Sequence, residues 1–347
     1  MGKNERVNLI KQLEAERGDT YVISYITSTR PDLEIQMAMD ATRIIYEHLQ
    51  LIGKPKNEAK IDLFIHSNGG DSTVPWRLVS LIREFTDHFS VLVPHHAFSA
   101  ATLTALGANS VLMHSMGMLG PTDPTVTNPF NPTSPSNPDQ RIGISVEDVT
   151  AYISLIKEDA GIHHEDELVQ AFNKLADQVH PLALGNVKRS LSQSRMMARK
   201  LLALHMDLST DAHKIDEIVD SLTSKLFYHG HPINRREAID ELKLPNVEVP
   251  TPKVEELMWK LYLEYEKEIK METPFQIAIE FTSKHPGTVP KTGALTAQET
   301  AKLAFIESAN RTDVLSIDYQ LGGQPHPTTG GVQVNLFIRK QGWETEP

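Results

Sequence analysis

The stretch Ile61-Asp-Leu-Phe-Ile-His-Ser-Asn-Gly-Gly70 runs from apolar, β-forming residues into two adjacent glycines. Its first five residues, Ile61–Ile65, predict a strand, and the glycines end it. Because glycine has no Cβ, two glycines after a strand can turn backbone N–H groups toward a bound carbonyl group. A Gly-Gly pair alone is most often a plain turn, so its meaning depends on the neighbouring segments.

Strands and helices alternate on both sides of this stretch. Tyr21–Ile26 predicts a strand upstream, and Val74–Phe85 predicts a helix downstream. Strands are then predicted at Val91–Val93 and Val111–Met113, with a helix of small residues, Ser99–Leu106, between them. Short strands that alternate with helices are typical of an α/β domain.

The outer segments are also patterned. Leu33–Leu51 has a helical apolar side, whereas six prolines lie in 121–140, where we expect neither helix nor strand ladder. Beyond Thr251 we predict a charged helix and a β-rich tail, whose segments are Val254–Lys270, Phe275–Phe281, Val314–Tyr319 and Val332–Arg339. We therefore expect a main domain, 1–250 with its core at about 56–245, and a C-terminal extension, 251–347, for oligomerisation or partner binding.

Composition narrows the class of protein. The chain has 347 residues with 34 basic and 45 acidic side chains, a net charge of −11, which argues against nucleic-acid binding. No cysteine is present, so disulfides, iron–sulfur clusters and a cysteine nucleophile are excluded. No apolar run reaches the ~18 residues of a membrane span, and no secretory signal is evident. We expect a cytoplasmic protein without membrane insertion.

Ser99 is the candidate nucleophile. It follows a strand that ends at Pro94 and begins a helix of small residues, so its hydroxyl is exposed and Ala100 N–H is available to an oxyanion. An isolated serine at this place is more often only a helix cap. A further turn, Gly117-Met-Leu-Gly-Pro-Thr-Asp-Pro124, follows the next strand, and the three features in this order are more specific than any one.

With these motifs the sequence resembles the serine dehydrogenase proteinase family, in the Clp-protease/crotonase-like superfamily that includes signal peptide peptidase A. The resemblance covers about Arg6 to Leu244 and rests on residues 61–70, 93–99, 103–106, 118–124, 180–185 and 231–238. It implies a Clp/crotonase-like spiral of β-β-α units that assembles into rings or dimers. It also implies a Ser99 nucleophile, with oxyanion donors at Gly69, Gly70 and Ala100.

The sequence departs from the family pattern at three places. Ser67-Asn68 replaces a segment with a stiff proline, and Ala101 replaces a glycine. The histidine of a Clp-type triad would fall near Pro121 and its aspartate near Gly230. A Ser-His-Asp mechanism of that type is therefore not supported.

Relatives of the signal-peptidase type use a lysine base, which must be partly buried to lose its proton near neutral pH. The candidate is Lys157, 58 residues after Ser99, at the edge of the apolar face of a predicted helix, Glu147–Asp159. The alternatives are Lys174, Lys188, His95, His96, His229 and His231. His163-His164 is interpreted as a polar helix start rather than a metal site, and Asp123 as a residue that stiffens a turn rather than one that orients a base.

These observations predict an ATP-independent serine peptidase, without cofactor or metal, that cleaves peptides or unfolded proteins as a homo-oligomer. The Pro-rich segment 124–140 would border the substrate groove. An alternative is a catalytically degenerate assembly protein on the same fold. A crotonase-type acyl-thioester enzyme is a third hypothesis, but we see no basic cluster suited to the phosphates of coenzyme A.

Overall fold

The computed structural model describes residues 2–135, 137–225, 230–284, 296–325 and 332–347. Its helices are α1 (Gly2–Glu16), α2 (Asp40–Leu49), α3 (Val74–Phe85), α4 (Ala100–Leu106), α5 (Val146–Ser154), α6 (Glu165–Gln178), α7 (Pro181–Leu202), α8 (Ala212–Asp220), α9 (Arg235–Asp240), α10 (Pro252–Ile269) and α11 (Ile277–Lys284). Two π-helical turns, Leu155–Asp159 and Ser221–Lys225, continue α5 and α8. No helix in these ranges combines the length and the apolar character that a membrane span requires.

The strands are β1 (Tyr21–Thr27), β2 (Lys60–His66), β3 (His88–Val93), β4 (His96–Ala97), β5 (Ser110–Met113), β6 (Met118–Leu119), β7 (Thr125–Val126), β8 (Thr133–Ser134), β9 (Asn137–Arg141), β10 (Ile144–Ser145), β11 (Ile233–Asn234), β12 (Val247–Glu248), β13 (Glu299–Ser308), β14 (Arg311–Pro325) and β15 (Val332–Glu346). Eight of them form one sheet in the order β12-β5-β3-β2-β1-β13-β14-β15. Pairing is parallel from β12 to β1 and antiparallel from β1 to β15. The predicted α/β class is confirmed, and the spiral of β-β-α units stays a prediction.

Helices cover both faces of the central strands, which explains why β2 is apolar without alternation. Ile61 and Leu63 pack on one face beneath α2, α3, α4, α7 and α8. Phe64 packs on the opposite face beneath α1 and α10. The parallel strands are thus buried on both sides, and the loops at their carboxyl ends are held by a rigid layer.

The C-terminal residues share this sheet with the N-terminal part. β13 pairs with β1, and Arg6 of α1 forms a buried ion pair with Glu307 of β13 at 2.7 Å. Glu307 also accepts a hydrogen bond from the Tyr265 hydroxyl of α10 at 2.7 Å. The strands predicted at 314–319 and 332–339 lie within β14 and β15. The functional division at residue 250 stays a prediction.

The helix predicted for Leu33–Leu51 is wrong in its first part, because α2 begins only at Asp40. Residues before Asp40 pair with other segments: Ile35 N–H donates to Ser28 O at 2.9 Å, and Met37 N–H donates to Gly69 O at 2.8 Å. These long-range hydrogen bonds replace those of a helix and bring the segment to the glycine turn.

Two further predictions are wrong. Phe275–Phe281 was expected to be β structure, but Ile277–Lys284 is a helix in which Phe281 is fully buried and Ile279 is 61% exposed. The segment 121–140 was expected to form no ladder, yet β7 pairs with β10 and β8 pairs with β9 in short antiparallel ladders. Ladders of so few residues need few backbone donors, so they tolerate the surrounding prolines.

Candidate active site

The turn after β2 is fixed by the side chain of Ser67. Ser67 N–H donates to His96 O at 2.9 Å, and Phe98 N–H donates to Ser67 O at 3.0 Å. The Ser67 hydroxyl oxygen accepts hydrogen bonds from Gly69 N–H at 3.0 Å and from the Thr27 hydroxyl at 2.8 Å. These bonds tie β2 to β4 and restrain the turn without the proline that the family pattern has there.

Both glycines of the turn are required by backbone that lies close to them. Gly70 has a φ of +155°, and a Cβ on it would lie 2.3 Å from Met37 O. Gly69 has a φ of +97°, and a Cβ on it would lie 2.7 Å from the Ser99 Cβ. Any larger residue at either position would displace the turn or the serine.

Ser99 has a backbone conformation that L-residues rarely adopt. Its φ is +51° and its ψ is −109°, and it directly precedes α4. The conformation is held by hydrogen bonds on either side, from Ala101 N–H to Phe98 O at 2.9 Å and from Leu103 N–H to Ser99 O at 3.0 Å. Strained residues of this kind concentrate at functional sites, and a sharp strand-to-helix turn is how a nucleophilic serine is exposed in other hydrolases.

The third sequence motif lies beside Ser99. β6 pairs in parallel with β4, which places Leu119 opposite Ala97. The Thr102 hydroxyl donates to Ala97 O at 2.7 Å and accepts from Gly120 N–H at 3.0 Å. The glycine turn, the serine turn and the segment that leads to Asp123 are therefore neighbours in space.

Two backbone N–H groups at Ser99 are available to an acceptor. Gly69 N–H, predicted as an oxyanion donor, already donates a hydrogen bond to the Ser67 hydroxyl oxygen, so Gly69 shapes the turn instead. Within the residues that the structure describes, Gly70 N–H and Ala100 N–H donate no hydrogen bond. Uncommitted backbone donors near a serine are what an oxyanion site requires.

Ser99 faces a cleft of about 450 Å³. The described lining comes from the glycine turn, from Glu34–Gln36, from α4 and α7, and from residues 122–127. Its ionisable side chains are Glu34, Asp71 and Asp123, and it contains no lysine, arginine or histidine. Asp123 is fully buried, whereas Glu34 and Asp71 are exposed.

The structure does not bring the predicted lysines to this cleft. Lys157 is exposed in the π-helical turn after α5 and lines a separate, apolar cavity of about 280 Å³ with Phe172. Lys174 and Lys188 are exposed on α6 and α7 and do not line the cleft.

The histidines considered as bases lie elsewhere as well. His95 and His96 stack on each other on the α10 side of the sheet, with ring centroids 4.1 Å apart. His231 Nε2 lies 2.7 Å from Glu237 Oε1 at the start of α9. His229 falls outside the described residues. In the described ranges no group of three His, Asp or Glu residues gathers as a metal site, and His164 precedes α6 as a polar helix start.

A Ser-His-Asp arrangement does occur, but far from Ser99. His48 Nδ1 lies 2.9 Å from the Ser308 hydroxyl, and His48 Nε2 lies 2.9 Å from Asp313 Oδ2. All three residues are buried. Sequence reasoning missed this cluster because residues 48 and 308 meet only through the pairing of β1 with β13, and no local pattern marks that contact.

Comparisons with known proteins find one family and two relatives that resemble this chain. Residues 4–180 match the family model described as ClpP-like SDH-type serine proteinase. An uncharacterized protein of Methanocaldococcus jannaschii is 24% identical over 252 residues, which cover 71% of this chain and 72% of that protein. A second uncharacterized protein of the same organism is 22% identical over 205 residues, 57% of this chain and 68% of its own length.

Proposed function

The chain belongs to the ClpP-like SDH-type serine proteinases, and from that premise we propose that it is a cytoplasmic, ATP-independent serine peptidase with Ser99 as its nucleophile. The observation that carries this proposal is the strained Ser99, which lines a cleft with Gly70 and is followed by Ala100, two residues whose N–H groups are uncommitted. Peptides or unfolded proteins are the proposed substrates. Residues 124–127 line the cleft, which supports a role for the Pro-rich segment beside the substrate.

The mechanism follows from these positions. Ser99 Oγ attacks the peptide carbonyl carbon and loses its proton to a base, and the carbonyl oxygen becomes an oxyanion held by Gly70 N–H and Ala100 N–H. The C–N bond then breaks, and the departing amine takes the proton from the base. Water repeats the sequence on the acyl-enzyme and releases the carboxylic acid together with free Ser99.

We assign Asp123, rather than Lys157, as the group that takes the Ser99 proton. Asp123 is the buried ionisable side chain among the described residues of the cleft. Carboxylates serve as general bases where they lie within reach of the reacting proton. For Lys157 to act as the base, it would have to leave its own apolar cavity.

We also propose that the peptidase is a homo-oligomer. Among its described residues α6 buries none, although its face carries Leu168, Val169 and Phe172. An exposed apolar helix face of this kind is suited to a second copy of the chain. Sedimentation of wild type and Phe172→Glu tests this, because a shift of the variant to a smaller species is expected.

The alternative, a catalytically degenerate assembly protein, is favoured by one observation: no lysine or histidine lies in the described lining of the cleft. Incubation of an unstructured peptide mixture with wild type and with Ser99→Ala, read by mass spectrometry, separates the two functions. Cleavage by wild type that is absent in Ser99→Ala supports the peptidase. Identical fragments from both proteins, or no fragments from either, would support the alternative.

A further inference from the structure

A stack of aromatic rings lies between the sheet and α10, and no step of the proposed reaction uses it. His66, His95 and His96 form its centre, with ring centroids 4.1 to 5.7 Å apart. Tyr262 of α10 lies 5.0 Å from the His66 ring. On the other side the His96 ring stacks on Phe98 at 4.7 Å, and Phe98 directly precedes Ser99.

Hydrogen bonds connect the stack to the two turns of the candidate active site. His66 is the last residue of β2, and its Nδ1 accepts the backbone N–H of His96 at 3.2 Å. Its Nε2 therefore carries the proton and donates to the Thr29 hydroxyl at 3.2 Å. The carbonyl of His96 in turn accepts Ser67 N–H, so the His66 ring adds a side-chain hydrogen bond to the backbone pairing between the strand that leads to Ser99 and the strand that leads to Gly70.

This contact requires a neutral ring, because an imidazolium has no acceptor at Nδ1. His66 is fully buried, and burial with the nearby His96 and His95 rings holds its pKa well below the ordinary value. Burial and His95 lower the pKa of His96 to about 4, and within the described residues the buried Nδ1 of His96 has no hydrogen-bond partner. A proton added to either ring would thus have no acceptor prepared for it.

The charged and titratable groups that face the stack are few and lie on its α10 side. His95 Nδ1 lies 3.0 Å from the Tyr262 hydroxyl, which also contacts Glu266. Burial lowers the pKa of His95 overall, although Glu272, which follows the end of α10, favours a higher pKa through its charge. At the far end, the His114 ring stacks on Trp259. Burial lowers the pKa of His114, which the charge of Glu255 raises and the charge of Arg235 lowers further. No carboxylate accepts a hydrogen bond from His66 or His96 in the described residues.

We propose that His66 is a positioning residue for Ser99: its neutral Nδ1 fixes β4 through the His96 N–H, and protonation of the stack in acid releases that strand. The consequence for catalysis rests on the proposed function, whereas the consequence for β4 does not. Ser99 is three residues beyond His96, and a shift of its strand would move the nucleophile away from Gly70 and Ala100. A displacement of about 1 Å at a reacting group is enough for a rate loss of about 100-fold.

Two matched variants test which ring nitrogen matters. In His66→Asn the side-chain oxygen can take the place of Nδ1 and accept the His96 N–H, whereas in His66→Gln the amide reaches the place of Nε2 and Thr29. We expect hydrogen exchange of the peptide 95–101, corrected for intrinsic rates, to be about tenfold faster at pH 7.5 in His66→Gln and near wild type in His66→Asn. When the pH is lowered from 7.5 to 3.5, below the pKa of about 4 of His96, the wild-type segment should lose protection, and His66→Asn should lose less.

Peptide cleavage by the same proteins gives the catalytic readout, with kcat expected to fall and KM to change little in His66→Gln. Equal exchange and equal kcat in the two variants would overturn the proposal. If wild type cleaves no peptide, the proposed function fails, yet the exchange comparison still decides the role of His66. If His66→Gln does not fold, Thr29→Val removes the acceptor of the Nε2 proton, and unchanged exchange at 95–101 in that variant would contradict the role.

Discussion

The chain contains two serines in specialised surroundings, and they differ in nearly every respect. Ser308 belongs to a Ser-His-Asp chain, in which His48 contacts the Ser308 hydroxyl through Nδ1 and Asp313 through Nε2, both at 2.9 Å. This order of ring nitrogens is the reverse of that in a catalytic triad. Ser308 is also fully buried and accepts the Tyr21 hydroxyl at 3.1 Å. Among the described residues Ser99 has no such partners, yet it lies in a cleft and has a strained backbone.

We infer from this difference that a Ser-His-Asp chain of contacts is not by itself evidence of an active site. A nucleophile needs room for a substrate, donors for the oxyanion and a backbone that presents its hydroxyl. Ser99 has all three, whereas the hydrogen bonds of Ser308 join α2 to the β13–β14 hairpin. We therefore expect substitutions at Ser99 to change activity and substitutions at the buried cluster to change stability.

The largest effect should come from the two serines themselves. Ser99→Ala removes the nucleophile, and we expect kcat/KM for peptide cleavage to fall by about 10⁴-fold or more with unchanged thermal stability. Ser308→Ala is the matched control: it should retain activity and lose about 1 kcal/mol of unfolding free energy, since one hydroxyl network is removed. Activity lost in Ser308→Ala at full stability would reverse the assignment of the two sites.

Substitutions of Asp123 and Lys157 test which of these two residues is the base for Ser99. Asp123→Asn keeps the shape of the buried side chain but removes its capacity to take a proton, so kcat should fall by about 10²- to 10⁴-fold. Lys157→Ala should retain wild-type kcat, because Lys157 lines another cavity. Steady-state kinetics on one peptide substrate measure both, and the opposite pattern would restore the lysine as the base.

Substitution in the glycine turn should have a smaller effect, which combines a loss of activity with a loss of stability. In Gly70→Ala the new Cβ would lie 2.3 Å from Met37 O, so the turn must move and carry its N–H away from the oxyanion. We expect a loss of kcat of about 10²-fold, together with a lower melting temperature. Gly185→Ala in α7 is the control: its Cβ meets nothing within 4 Å, and helix propensity should raise stability by about 0.5–1 kcal/mol.

Local sequence patterns predicted much of the fold. The strands β1, β2, β3 and β5 and the helix α3 follow from short apolar runs and helical spacing, which depend on neighbours in the sequence. The helix predicted across 33–39 failed because that segment hydrogen-bonds to Ser28 and Gly69 instead. The strand predicted for Phe275–Phe281 failed because these seven residues, with apolar side chains at alternate positions, also place Ile277 and Phe281 on one helical face.

The candidate site was predictable only in part, for the same reason. Ser99 and Gly70 are marked by the strand-to-helix and strand-to-turn patterns that contain them. The group that takes the proton is marked by no such pattern, since it depends on which side chain the fold turns into the cleft. Asp123 was interpreted as a turn residue, and its burial beside the Ser99 cleft appears only in three dimensions.

No effect on activity is expected from Asp313, whose substitution should change stability alone. Burial by itself would raise the pKa of Asp313, but hydrogen bonds from His48, Arg311 and Thr345 outweigh it and hold that pKa well below its usual range. The stabilisation is therefore present above the unfolded pKa of about 3.9 and is lost as the pH falls further. Asp313→Asn should cost about 1–3 kcal/mol at pH 7, as measured by chemical denaturation, and its deficit should narrow at pH 3. Peptide cleavage by the folded variant should stay at the wild-type rate, and a selective loss of cleavage would give the buried cluster a catalytic part.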